Sequence, residues 1–159
     1  MNLARAMTAA DADADDLAQE SFVRAWRSIG AFRFDSTFRT WLHGIAINVI
    51  RTHRGRLSRL RRLFAAPAPD RDAAADPLEL IAVDDGIETP LAMRDLIDRA
   101  LASLPVDLRE AVVLRDVQGL DYREIADALG VPLGTVESRI FRGRQRLKPL
   151  LQPLRDRRR

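Results

Sequence analysis

Apolar residues recur along this chain at three- and four-residue steps, the period of helices that turn one face inward. A first patch, Leu3, Ala4 and Met7, reads as the end of a helix too short to stand by itself. Ala10 to Asp16 is an acidic turn whose DADADD run caps the next element, since negative charge suits a helix N-terminus. The spacing then predicts a helix from about Asp15 to Ile29 that buries Ala18, Phe22, Ala25, Trp26 and Ile29. Its other face shows Asp16, Gln19, Glu20 and Arg24. Gly30 to Thr37, GAFRFDST, is a loop. Asp35 or Ser36 starts a helix to about Arg54, with Phe38, Trp41, Leu42, Ile45, Ala46 and Val49 inward.

The period is lost from Ala65 to Pro90, where alanine, proline and aspartate dominate. This composition predicts a flexible, self-repelling linker with a short helix around Leu78 to Val83. Order returns near Leu91. Leu96, Ile97, Ala100, Leu101 and Leu104 make one amphipathic helix stopped before Pro105, and Asp107 with Glu110 predicts a capping box for the next. That helix buries Leu108, Ala111, Val112 and Leu114 or the stem of Arg115, ending near Gly119. The fold class expected is all-α, in two small domains. Residues 1–62 form the first, 63–90 the acidic linker, 91–152 a four-helix domain and 153–159 a basic tail that keeps the chain soluble.

The last two helices carry the most specific pattern. Asp121 caps the first of them, with Glu124 three residues on to close a capping box, and Ile125, Ala126 and Leu129 form its apolar face. Gly130 supplies the positive φ that ends it sharply. Val131-Pro132-Leu133-Gly134 is a turn, and Thr135 opens a helix with Val136, Ile140 and Leu147 inward. Ala126 lets the helices cross closely, Gly130 makes the turn and Val136 plugs the crossing. This is the spacing of a DNA-binding helix-turn-helix. Its second helix projects Arg139, Arg142, Arg144 and Arg146, with Lys148 at its end, and offers Thr135, Glu137 and Ser138 in its first turn. Short polar groups there meet base edges while arginines hold phosphates. A solvated basic face on a bundle helix would look similar, but would not need the glycine-centred turn.

Charge distribution sharpens this picture. The chain of 159 residues carries a net charge of only +3, yet its pI is near 10.4. Arg51 to Arg62 holds six arginines and no acid, Asp70 to Asp98 nine acids and two arginines, and Arg139 to Arg159 nine basic residues against Asp156 alone. Two basic blocks around an acidic stretch suggest two nucleic-acid contacts joined by a segment that avoids DNA. In the first block, Arg33, Arg39, Asn48, Arg51 and Arg54 surround Trp41 and the loop phenylalanines. Bases stack on rings while arginines hold the backbone, which is how single strands are bound; a helical hairpin with an ordinary basic rim is the plain alternative. Hydrophobic residues at 47% suffice for a core, and aromatics at 6% favour small helical cores. The absence of cysteine excludes disulfides and thiolate metal sites. His43 and His53 have no companion spacing for a metal, so neither metal nor cofactor is expected. No apolar run reaches transmembrane length and no signal-peptide pattern opens the chain, so a cytoplasmic location is expected.

Two stretches resemble one family. LPVDLREAVVLRDVQGLDYREIADALGVPLGTVESRIFRGRQRL resembles region 4, the C-terminal promoter-binding domain of extracytoplasmic-function sigma factors, group 4 of the sigma-70 family of bacterial RNA polymerase. DADADDLAQESFVRAWRSIGAFRFDSTFRTWLHGIAINVIRTHR resembles their region 2, including the DLAQESF, FRTWL and IAINV runs. Both matches lie in the family's order and cover most of the chain outside the linker. The resemblance implies a non-catalytic subunit that binds core RNA polymerase, through the β′ clamp helices and the β flap, and lets it recognise and open promoter DNA. On this resemblance Asp16, Gln19, Glu20 and Arg24 face the clamp helices. Phe34, Asp35 and Ser36, with Arg33 beside them, form the pocket for a flipped −10 base, and Arg39, Trp41, Asn48 and Arg51 hold the non-template strand. Thr135, Glu137, Ser138, Arg139 and Arg142, with Arg144 and Arg146 behind them, lie at the −35 element. An anti-sigma factor that covers these faces is implied as a partner.

Two departures from the family pattern carry expectations. Region 2 normally begins with a further helix, and MNLARAM matches only the end of its second, so region 2 is expected to be shortened. Apolar surface of Trp26, Leu42 and Ile45 is then expected to be uncovered, which favours self-association. Glu137 stands where a basic residue is common and could accept from a cytosine amino group, altering promoter choice. The competing reading is a self-contained helix-turn-helix regulator whose N-terminal helices dimerise. An enzyme finds no support, since there is no phosphate loop, metal cluster or nucleophile with a base. The linker leaves the relative placement of the two domains open.

Overall fold

The computed structural model describes residues 3–8, 11–64 and 89–152. Among them are seven α-helices and no strand: α1 (Leu3–Met7), α2 (Asp11–Ser28), α3 (Phe38–Phe64), α4 (Pro90–Ser103), α5 (Val106–Val112), α6 (Tyr122–Leu129) and α7 (Leu133–Leu150). The predicted linker helix around Leu78 to Val83 and the basic tail lie outside the described residues. A short 3₁₀ turn, Ile29–Ala31, follows α2, and a π turn, Val113–Val117, extends α5.

The N-terminal pair departs from the periodicity in an informative way. The acidic run is not a turn before α2 but its first turns, since the helix begins at Asp11. Its buried face is Ala14, Leu17, Ser21 and Ala25, laid against α3. Phe22 and Trp26, predicted as core, stand 65% and 81% exposed, and Ile29 is exposed as well. Small side chains let α2 and α3 approach closely, and that face excludes the large residues one position further round. Ser21 fits there because its hydroxyl donates to the Leu17 carbonyl at 2.6 Å.

Thr37, rather than Asp35 or Ser36, caps α3: its Oγ1 accepts the Thr40 N–H at 3.1 Å. The helix then runs ten residues beyond the expected end at Arg54, carried by Leu57 and Leu60 at helical spacing without a proline. Its buried positions are Thr40, Ile47, Val49 and Ile50, while Phe38 is exposed and Trp41, Leu42, Ile45 and Ala46 are half-buried. The predicted stripe shifts because α3 packs on α2 from one side and α6 from the other.

The C-terminal helices follow expectation more closely. Thr89 caps α4, accepting the Ala92 N–H at 3.2 Å, with Pro90 where a missing N–H costs nothing. The predicted box at α5 does not form. Pro105 occupies the cap without a side-chain hydrogen bond, and Glu110 turns instead toward α3. Gln118 donates to the Val113 carbonyl at 2.9 Å, closing the π turn, and Leu120 drops into the core. The box at α6 is complete: Asp121 Oδ1 accepts the Glu124 N–H at 2.8 Å and Glu124 Oε2 accepts the Asp121 N–H at 2.9 Å. Gly130 adopts φ 65°. The next helix opens at Leu133, two residues before Thr135, and buries Val136, Ile140, Gly143, Leu147 and Leu150.

The apolar residues of both domains join in one core. Met7, Ile47 and Ile50 belong to the same cluster as Leu101, Leu114, Ile125 and Val136. The short α1 is held there by packing, with Met7 fully buried. Arg109, also buried, donates to the carbonyls of Met7 at 3.3 Å and Leu104 at 2.9 Å and to that of Ala102. The domains are therefore packed together, α3 against α6.

Candidate nucleic-acid and polymerase interfaces

The helix-turn-helix presents α7 with one face buried and the other in solvent. Glu137, Ser138, Arg142 and Arg146 are exposed and Thr135 is half-buried. Arg142 is tied only to its own helix, donating to the Ser138 carbonyl at 3.3 Å. Two predicted contacts turn back onto the domain. Arg139 lies 3.5 Å from Asp107, with most of its side chain covered. Arg144 grips Asp116 with two donors, and that hydrogen bond raises its pKa further. Beside them is a residue the pattern missed: Phe141 is 64% exposed and, with Tyr122, Glu137 and Lys148, lines an open groove of about 480 Å³. Its signal was its position, one residue off the Val136–Ile140–Leu147 stripe.

The loop before α3 and the first turn of that helix bring four rings together around Phe32. Phe32 lies 4.6 Å from Phe34, 6.1 Å from Phe38 and 5.1 Å from Trp41, and Phe38 lies 5.6 Å from Trp41. Phe34 has φ 61° and is 83% exposed. A positive φ is strained for a bulky residue, and here it lifts the ring into solvent on top of Phe32. Arg33, Asp35 and Arg39 are exposed around it, Ser36 and Trp41 half-buried, and Asn48 exposed two turns along α3. Phe32 and Phe38 belong to this cluster although the periodicity gave the first no role and put the second in the core.

Arg51 stands apart from that group. Its Nη2 donates to Glu110 Oε2 at 2.6 Å and its Nε to Oε1 at 3.1 Å, while Glu110 is 3% exposed. The hydrogen bond to Glu110 raises the Arg51 pKa against the opposing effect of burial. Arg54 and Arg109 border the same carboxylate. Burial lowers both, and with the nearby Arg54 charge brings Arg109 to about 10, still protonated at neutral pH. Along the same seam Thr40 and Thr37 donate to Glu124 Oε1 at 2.9 and 3.3 Å, and His43 meets Gln118 at 3.3 Å.

On α2, Asp16, Gln19 and Glu20 are exposed and Arg24 half-buried, with an Arg24–Glu20 ion pair at 2.7 Å. Phe22 and Trp26 lie on the same open side, three and seven residues after Gln19, so the predicted polar stripe has an apolar partner. Among the described residues no group of histidine and acid side chains could hold a metal, and no helix is long and apolar enough to cross a membrane.

Residues 1–60 match the family described as sigma-70 region 2, and residues 94–147 match sigma-70 region 4. The RNA polymerase sigma-H factor of Pseudomonas aeruginosa is 42% identical over 151 residues, covering 89% of this chain and 75% of the relative. The ECF RNA polymerase sigma-E factor of Escherichia coli is 38% identical over 149 residues, with the same coverage. Among solved structures, the sigma factor RpoE of Bartonella quintana, in complex with the anti-sigma factor NepR, superimposes with a TM-score of 0.75 at 26% identity, covering 94% of this chain and 87% of that one. CnrH, in complex with the cytosolic domain of CnrY, gives 0.64 at 28% identity, covering 96% of this chain and 79% of that one. The chain belongs to the sigma-70 family, in its extracytoplasmic-function group. It is thus an RNA polymerase sigma factor, the class of subunit that directs the polymerase to promoters.

Proposed function

We propose that the chain divides promoter recognition between its two domains. In the C-terminal domain α7 enters the major groove of the −35 element. Thr135, Glu137, Ser138 and Arg142 face base edges and nearby phosphates, and Arg146 tracks the backbone. Arg139 and Arg144 set the helix angle through Asp107 and Asp116. In the N-terminal domain the loop from Arg33 to Ser36 receives an unstacked −10 base, and Arg39, Trp41, Asn48 and Arg51 hold the non-template strand.

The observation that carries this reading is the ring cluster crowned by Phe34. Extruding a base costs a few kcal/mol, and stacking on an aromatic ring returns about 1–3 kcal/mol per base. A ring already held in solvent needs no further ordering to do so. The α2 strip of Asp16, Gln19, Glu20, Arg24, Phe22 and Trp26 suits the clamp helices of the polymerase β′ subunit, apolar at its middle and polar at its edge. The C-terminal domain reaches the β flap. The similarity to RpoE bound to NepR supports an anti-sigma factor as a further partner. The working compartment of such a complex is the cytoplasm.

The test combines a pull-down of the 159-residue chain on core polymerase with promoter opening on a fluorescent-base −10 template. Asn48→Ala removes one strand contact, and a lost hydrogen bond of about 1–1.5 kcal/mol corresponds to roughly tenfold slower opening. Binding of an isolated −35 duplex should be unchanged. Equal loss of both activities would refute the division of labour. Tight binding to a palindromic duplex without polymerase would instead point to a dimeric regulator.

A further inference from the structure

Glu137 is the one acid of α7, a helix that carries five cations. It is exposed, and among the described residues no ion pair or hydrogen bond reaches its carboxylate. Sequence spacing and tertiary packing each contribute to that isolation. An ion pair along a helix needs a separation of three or four residues, and at those separations Glu137 meets only Leu133, Gly134, Ile140 and Phe141. Arg139 and Arg144 are turned away toward Asp107 and Asp116, and Arg142 donates to the Ser138 carbonyl. Leu133 and Phe141, one turn to either side, are 41% and 64% exposed. The carboxylate therefore stands uncompensated between two apolar side chains, on the face of α7 assigned to DNA above.

Carried into a major groove, such a carboxylate loses water and must find a hydrogen-bond donor, or its burial opposes binding. The groove offers donors of two kinds, the cytosine N4 and adenine N6 amino groups, whereas guanine N7 and O6 and thymine O4 are acceptors. The adenine amino group lies beside the N7 acceptor, which repels the second carboxylate oxygen. The cytosine amino group lies beside the apolar C5 edge, which suits a carboxylate seated between Leu133 and Phe141.

We infer that Glu137 makes cytosine the required base at one position of the −35 element, by rejecting guanine and thymine as well as by accepting from the cytosine amino group. The inference rests on the placement of α7 in the −35 major groove proposed above. Specificity is a difference between affinities, and a repulsive element supplies it as effectively as an attractive one. Because Asp107 and Asp116 hold the two nearest-lying candidate cations elsewhere, the Glu137 charge stays available to a base edge. Those two acids thus act as positioning residues for base choice.

The test is a selection by the full-length chain, bound to core polymerase, from duplexes randomised across the −35 region. The native chain is expected to recover one position as cytosine. Glu137→Gln should move that position to adenine, whose N6 and N7 a carboxamide meets with an acceptor and a donor, and Glu137→Arg should move it to guanine, read at O6 and N7. The other positions should stay as they are, which also reports that the variants fold. On defined duplexes, replacing that cytosine should weaken the native complex about 5- to 150-fold, and Glu137→Ala should level the four bases. A rise in affinity by one common factor for all four duplexes in Glu137→Ala would make the residue a plain repulsive charge and overturn the inference. Adenine in place of cytosine in the native selection would overturn it too. A selected sequence that no substitution at position 137 alters would overturn it while leaving α7 in the groove. Recovery of no −35 sequence by any of the chains would overturn the placement of α7 itself, and the inference with it.

Discussion

Glu124 serves three donors at once: the Asp121 N–H on Oε2 and the Thr40 and Thr37 hydroxyls on Oε1. The Asp121 N–H and then the Thr40 hydroxyl hold its carboxyl below the usual range. A carboxyl lowered in the folded state binds fewer protons there than in the unfolded chain. Its stabilisation is therefore complete above the ordinary value of about 4.3 and is lost as pH falls through the lowered one. Urea midpoints measured from pH 7 downward should fall more steeply below about pH 4.5 for the native chain than for Glu124→Gln. The capping half of this was legible at Asp121 and Glu124. The threonines lie more than eighty residues away, beyond any local pattern. Gly130 was equally legible. Its φ of 65° leaves open space around a Cβ, so Gly130→Ala isolates backbone strain and should cost about 1–2 kcal/mol in urea unfolding.

Elements were legible in type and less so in facing. Every α-helix among the described residues was predicted from spacing, yet α2 turned its small residues inward and left Phe22 and Trp26 in solvent. Periodicity registers that a face is apolar, and α2 has two overlapping candidates; closeness of approach to α3 chose between them. The same rule governs α5 and α7. Gly143 is buried at their crossing, where a Cβ would lie 2.5 Å from Val112 Cγ2. Alanine there gains about 1 kcal/mol of helix propensity but overpacks a tight contact at about 1–3 kcal/mol. Gly143→Ala should therefore lower the melting temperature, despite being favourable for an isolated helix.

At the scale of the molecule, sharing one core predicts shared unfolding. The two tryptophans, Trp26 and Trp41, both belong to the N-terminal domain, so fluorescence reports that half while far-UV circular dichroism reports all helices. The two urea transitions should coincide in the native chain, as for a single cooperative unit. They should separate in Gly44→Leu, because a Cβ at position 44 would already stand 3.6 Å from the Ala128 carbonyl oxygen and a branched side chain wedges the domains apart. Separate transitions in the native chain would show that the contact along α3 adds little to either domain.

The all-α class, the helix-turn-helix, its capping box, its glycine turn and the aromatic-basic character of the loop before α3 were all determined by sequence, because each rests on residues within one or two helical turns of each other. Tertiary structure alone decided the destination of Glu110 and Arg51. A local rule assigned Glu110 to a helix cap and Arg51 to DNA, but a carboxylate and a guanidinium from opposite domains satisfy each other once α3 meets α5. It also decided which arginines of α7 face outward, since Arg139 and Arg144 have acids within reach only after the domain folds. Short-range spacing fixes which residues can share a face, whereas long-range packing selects the partner that each charged group finally meets.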